Sequence, residues 1–121
     1  WSVVNPREGA AEARQECMCG AVGGRLYLLG GRGAHRADAF DPSTSTWRPG
    51  RNVHKEIHHA QVIPHNHLLY LFGAMKGRYP RERPLPYVAL FDPRNDSYSQ
   101  GPMVPEGRRR GSGGGAVFGG E

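Results

Sequence analysis

The sequence predicts an all-β fold built from repeated four-stranded antiparallel units, and three observations carry that expectation. An apolar, aromatic-containing segment ending on glycine occurs twice, as Arg25-Leu26-Tyr27-Leu28-Leu29-Gly30-Gly31 and as His67-Leu68-Leu69-Tyr70-Leu71-Phe72-Gly73. A Phe-Asp-Pro turn follows each, at Phe40-Asp41-Pro42 and Phe91-Asp92-Pro93, 51 residues apart, and Trp47 and Tyr98 repeat at that same offset. No stretch of helical length is periodic, because Pro, Gly and β-branched residues interrupt too often. Markers recurring in fixed order are the signature of a repeat architecture.

Each unit divides into four short strands bounded by turn chemistry. In the first unit the strands are expected at 16–22, 25–30, 37–41 and 46–49, and in the second at 58–63, 67–73, 87–92 and 97–101. Gly23-Gly24 and His65-Asn66 stand where the first hairpin of each unit must turn, since Gly and Asn tolerate positive φ. Asp41-Pro42 and Asp92-Pro93 place Asp and Pro at the first two positions of the later turn. Trp1 precedes Trp47 by 46 residues, so 1–5 reads as the end of a preceding unit. At the other end Ala116-Val117-Phe118-Gly119-Gly120 repeats Ala21-Val22-Gly23-Gly24, so 108–121 reads as the first strand of a further unit. The two complete units occupy 12–50 and 57–101.

The order of an apolar strand, Gly-Gly, Phe/Tyr-Asp-Pro, Trp, and a loop carrying Arg or His before a small-residue strand resembles the kelch repeat. The resemblance covers nearly the whole chain. The second unit departs from it at Gly73-Ala74, and the Arg or His position holds Arg14, His59, and Arg109 or Arg110. It implies a kelch-type β-propeller fragment whose repeats are four-stranded antiparallel blades. The run Arg108-Arg109-Arg110-Gly111-Ser112-Gly113-Gly114-Gly115 is more similar to the single-domain, often secreted kelch branch than to the adaptor branch. About two and a half blades are present, whereas closed propellers have roughly four to eight. The remaining blades are therefore expected in cis or from other copies of the chain.

Composition removes several function classes. The 121 residues allow one domain at most, with 18 Gly, 10 Pro and 22% charged residues. The longest apolar run, 68–72, is far below the roughly 18 residues of a membrane helix. Cys17 and Cys19 share one face if their segment is extended, a poor arrangement for a mutual disulfide, and they read as small buried hydrophobes. The chain opens at Trp1 without a signal-like stretch, which leaves the compartment open between secreted, periplasmic and cytoplasmic. No Ser-His-Asp order, P-loop lysine or paired-carboxylate pattern occurs. Gly111 to Gly120 lacks the Lys-Ser/Thr end of a phosphate loop, and its arginine-glycine run reads as a blade opening, so nucleic acid is disfavoured as a partner. The recurrent aromatics read as packing between blades.

The functional expectation rests on charge. In an up-and-down blade, the second-to-third and fourth-to-first connections share one face. That face carries 13 of the 16 Lys and Arg but only 5 of the 11 Asp and Glu. A one-sided positive field attracts anions, and arginine offers a planar fork to carboxylate or phosphate. The second unit also spaces Gly73 and Phe91 by 18 residues where Gly30 and Phe40 are 10 apart, an eight-residue insertion rich in Arg and Pro. Loops carry function more often than framework, and prolines lower the ordering cost of binding.

The expected ligand-binding residues are Arg14, Lys55, His59, Arg78, Tyr79, Arg81, Arg109 and Arg110, and the expected ligand is an acidic peptide, an acidic sugar or another anionic group. The family also includes copper-radical oxidases and a sugar-acid epimerase. The alternative is thus a carbohydrate-active propeller enzyme whose catalytic residues lie outside this stretch. No cofactor or metal is expected: His58 and His59, being adjacent, would point to opposite faces of a strand. His59 is expected near the axis opening, satisfied by backbone or water.

Overall fold

The computed structural model describes residues 1–120 and is all-β, with no helix among them. Four strands, β1 (Met18–Val22), β2 (Arg25–Leu29), β3 (His35–Asp41) and β4 (Thr46–His54), form one antiparallel sheet in the order β1-β2-β3-β4. The second sheet has the same up-and-down order, β5 (Gln61–His65), β6 (Leu68–Phe72), β9 (Tyr87–Asp92) and β10 (Ser97–Met103). The expected insertion is itself ordered: β7 (Met75–Lys76) pairs with β8 (Arg83–Pro84) as a small ribbon between β6 and β9.

Two details differ from the sequence expectation for one reason. The first strands begin at Met18 and Gln61 rather than at 16 and 58, because Glu16 and His59 sit at φ 58° and 60°. A left-handed residue cannot extend a strand, so pairing starts only beyond it. The β5–β6 hairpin turns on Asn66 and His67, one residue later than expected, with φ 47° and 65°. Both central residues at positive φ make a primed turn, which matches strand twist.

Apolar alternation puts the core between the sheets. Met18, Leu29, Leu69, Leu71, Ala89 and Phe91 are buried there, with Phe91 5.0 Å from Tyr98 and 6.0 Å from Tyr27 between ring centroids. Strand β1 packs on β5 and β6, whereas the outer strand β4 meets the second sheet near its end, where Asn52 and His54 reach Asp96 and Tyr98. The sheets touch along their inner strands and diverge outward, as two propeller blades do. The glycine ending β2 explains the closeness of the seam. Gly30 has φ 57°, and a Cβ on it would overlap the Ile57 carbonyl oxygen of the next blade.

Residues 108–120 form no strand, but they lie against the second blade: Ser112 N–H donates to Gly73 O at 3.0 Å, and Gly115 faces Ile63 and Phe72. Their backbone repeats a pattern seen twice before. Glu16, His59 and Ser112 all have positive φ, and each is followed seven residues later by a positive-φ pair, Gly23-Gly24, Asn66-His67 and Gly119-Gly120. Glu121 lies outside the described residues. At the opposite end, 1–5 is exposed and unpaired, while Glu8 bridges Thr46 of β4.

Candidate binding face

Loops from both blades meet on one face. Gly31 N–H donates to Ile57 O at 2.9 Å, His58 and Met75 exchange backbone bonds at 2.9 and 2.8 Å, and Arg32 N–H donates to Gln15 O at 3.1 Å. These bonds tie the approaches to β1 and β5, the β2–β3 loop and the ribbon together. Arg32 is the hub: its guanidinium binds Glu16 and Glu82 and donates to Gly77 O at 3.1 Å. Its bonds to Glu16 and Glu82 raise the Arg32 pKa, and the Arg32 hydrogen bond, more than the nearby imidazoles, lowers that of Glu16.

Beside this hub two histidines meet. His58 is fully buried, and its Nδ1 lies 2.6 Å from His59 Nδ1. This corrects the expectation that adjacent residues point apart. Alternation holds only for extended backbone, and the left-handed φ of His59 turns its ring back onto its neighbour. His59 is thus met by an imidazole and by Glu16 at 3.6 Å, instead of backbone or water alone.

The other expected ligand residues scatter. Arg14 is a correction: its guanidinium has no exposed surface and binds Asp38 at 2.5 Å, with further bonds to the Gly30 and Arg36 carbonyls. It is a buried clamp on β3. Arg109 donates to Val104 O at 3.2 Å, and exposed Arg110 turns back onto Gly107 O and Arg109 O at 3.1 and 2.9 Å. Arg78, Tyr79 and Arg81 project from the ribbon end, with Tyr79 81% exposed. Among the described residues, no carboxylate pairs with Lys55, Lys76, Arg78, Arg81 or Arg83.

Lys55 and Lys76 line a cleft of about 630 Å³ between the end of β4 and strands β9 and β10. Leu85, Tyr87 and Tyr98 give it apolar walls. Sequence reasoning missed its polar side. Buried Asp96 accepts from Asn52 N–H at 2.7 Å and pairs with His54 Nε2 at 3.0 Å, and the His54 ring stands edge-on to Tyr98 at 4.7 Å. Burial, reinforced by the Asp96 carboxylate, pushes the Tyr98 phenol well above its usual range. The available signal was an Asp closing the second turn where the first has Ser45.

Cys19 is exposed and Cys17 only half-buried, so neither is the buried hydrophobe expected. Cys17 precedes β1. Cys19 lies on the flank of the first blade that faces away from the second, a surface with no neighbouring blade among the described residues.

Two diverging four-stranded sheets, glycine-sealed at the inner strands and joined by loops on one face, define a fragment of a kelch-type β-propeller. Residues 13–53 match the Kelch motif, so the first blade carries a kelch repeat. It is similar to an F-box/kelch-repeat protein of Arabidopsis thaliana, at 27% identity over 124 residues and 87% of this chain. The match spans 26% of that protein, so the chain corresponds to about a quarter of its length. That relative carries an F-box by name, unlike the single-domain branch suggested by Arg108 to Gly115. Kelch repeats generally act as protein-interaction modules.

Proposed function

We propose that this chain is a non-catalytic binding module whose loop face takes an acidic peptide. One observation carries the reading: the ribbon end and cleft mouth present Lys55, Lys76, Arg78, Arg81 and Arg83 exposed and free of carboxylate partners among the described residues, beside exposed Tyr79. Unpaired guanidinium groups keep their full donor set for an incoming carboxylate. An aromatic at the same tip adds contact area at low entropy cost. The cleft beside them has apolar walls in Leu85, Tyr87 and Tyr98, which suit a peptide better than a compact anion.

The test is titration of the intact chain with a labelled acidic peptide and, separately, an acidic oligosaccharide, each at two salt concentrations. Peptide affinity should fall as salt rises, and Arg78→Ala with Arg81→Ala should weaken it about tenfold, at roughly 0.5–1 kcal/mol for each exposed charge. Binding of the oligosaccharide alone would transfer the reading to the carbohydrate-active alternative. Unchanged affinity in the double variant would remove the ribbon from the interface.

We infer further that 108–121 opens another blade. Ser112 and Gly119-Gly120 reproduce the backbone landmarks that flank β1 and β5, and the segment lies against the second blade near Ile63. The strands completing such a blade would come from residues further along in cis or from another copy.

A further inference from the structure

We propose that Glu16, His58, His59 and Glu82 form a binding site for a divalent transition-metal ion of the zinc class, pinning the ribbon to the junction of the two blades. One donor atom from each of the four residues lies within 4.8 Å of all the others. They arrive from three separate segments: the approach to β1, the approach to β5 and the ribbon loop. Surface charges clustered by chance do not bring a fully buried imidazole into such a group.

The tautomers support the assignment. His58 Nε2 lies 3.1 Å from Gly77 O, a carbonyl that can only accept, so Nε2 carries a proton, and in the neutral ring Nδ1 presents its lone pair. That lone pair points at His59 Nδ1, with Glu16 Oε2 at 3.9 Å from one nitrogen and 3.6 Å from the other. A metal-bound histidine characteristically gives its other N–H to a carbonyl or carboxylate, which fixes the ring. Here both are present, because Glu56 Oε1 lies 3.4 Å from the same Nε2 and is buried without a hydrogen-bond partner.

Charge points the same way. Glu16, Glu56 and Glu82 contribute three negative charges and Arg32 one positive, leaving two uncompensated around a buried ring when both imidazoles are neutral. A bound dication supplies that balance. Two imidazole nitrogens with carboxylate oxygens suit zinc and its neighbours, whereas calcium and magnesium prefer oxygen alone. Coordination requires the two Nδ1 atoms to spread from 2.6 Å to about 3.3 Å, the tetrahedral separation for bonds of roughly 2.0–2.1 Å. The half-exposed His59 can make that movement. Arg32 remains behind Glu16 and Glu82 and orients them.

The chain, stripped with chelator and desalted, is to be titrated with zinc chloride at neutral pH by calorimetry, and separately with cobalt to read the visible spectrum of a four-coordinate ion. One equivalent should bind, raising the melting temperature, with the cobalt bands of a nitrogen and oxygen site. His59→Gln and Glu82→Gln, which leave buried His58 in place, should each weaken zinc at least tenfold. His65→Gln with His67→Gln, and Cys17→Ser with Cys19→Ser, should change nothing. Absence of saturable binding in folded protein, sulfur-type cobalt bands, or affinity lost only in the His65/His67 variant would each overturn the site.

Discussion

At the scale of single residues, Arg14 shows how far a side chain's role depends on a partner distant in sequence. Composition and position made it a loop cation, yet Asp38, 5% exposed in its side chain, accepts from both its guanidinium and the Glu12 N–H. We expect Arg14→Ala to cost about 3–5 kcal/mol, because Asp38 would remain buried as an unpaired charge. Replacing both, as in Arg14→Met with Asp38→Leu, should recover much of that loss, which urea midpoints on the three proteins would measure. A double variant no more stable than Arg14→Ala would refute the account. The hint in the sequence was an acid on a strand otherwise bearing Ala37 and Ala39, but nothing there names its partner. His58 and His59 were misjudged differently: the alternation rule was sound, and one left-handed φ at His59 suspended it.

Elements were far more legible. All eight main strands were anticipated because each couples an apolar segment to turn residues whose φ requirements are local. The ribbon β7–β8 was read only as an inserted loop, since two-residue strands carry no periodicity. The seam between blades depends on Gly30, whose absent Cβ admits the Ile57 carbonyl. Gly30→Ala therefore carries backbone strain of about 1–3 kcal/mol and a steric clash as well. Gly107 is the internal control: its φ is 76°, but nothing lies within 4 Å of a Cβ placed there. We expect Gly30→Ala to lower the melting temperature clearly more than Gly107→Ala, and equal shifts would show that the seam tolerates the added methyl. Gly73, the equivalent position in the second blade, abuts Gly113 in the same manner, so the closeness recurs where the next blade would begin.

At the scale of the whole molecule, the two blades leave two flanks that cannot meet each other. On the first blade, Leu26, Phe40 and Trp47 are register neighbours on the side away from β5, with the Phe40 and Trp47 rings 5.1 Å apart and Leu26 38% exposed. On the second, Ile63, Tyr70 and Leu90 line the outward side, crossed among the described residues by the strandless segment around Gly115. The seam already formed shows what such surfaces do: one blade's sheet packs its apolar side onto the next. Apolar flanks of this kind drive association in water, and a head-to-tail contact between copies repeats rather than pairing off. The isolated chain should therefore sediment as concentration-dependent multiples of its 13.3 kDa mass. Leu26→Glu, placing a charge on the exposed flank without touching the seam, should shift it toward monomer and leave the β-sheet circular dichroism unchanged. A monodisperse monomer that binds no hydrophobic dye would mean that these surfaces are satisfied within the chain, and the incomplete ring would have to be abandoned.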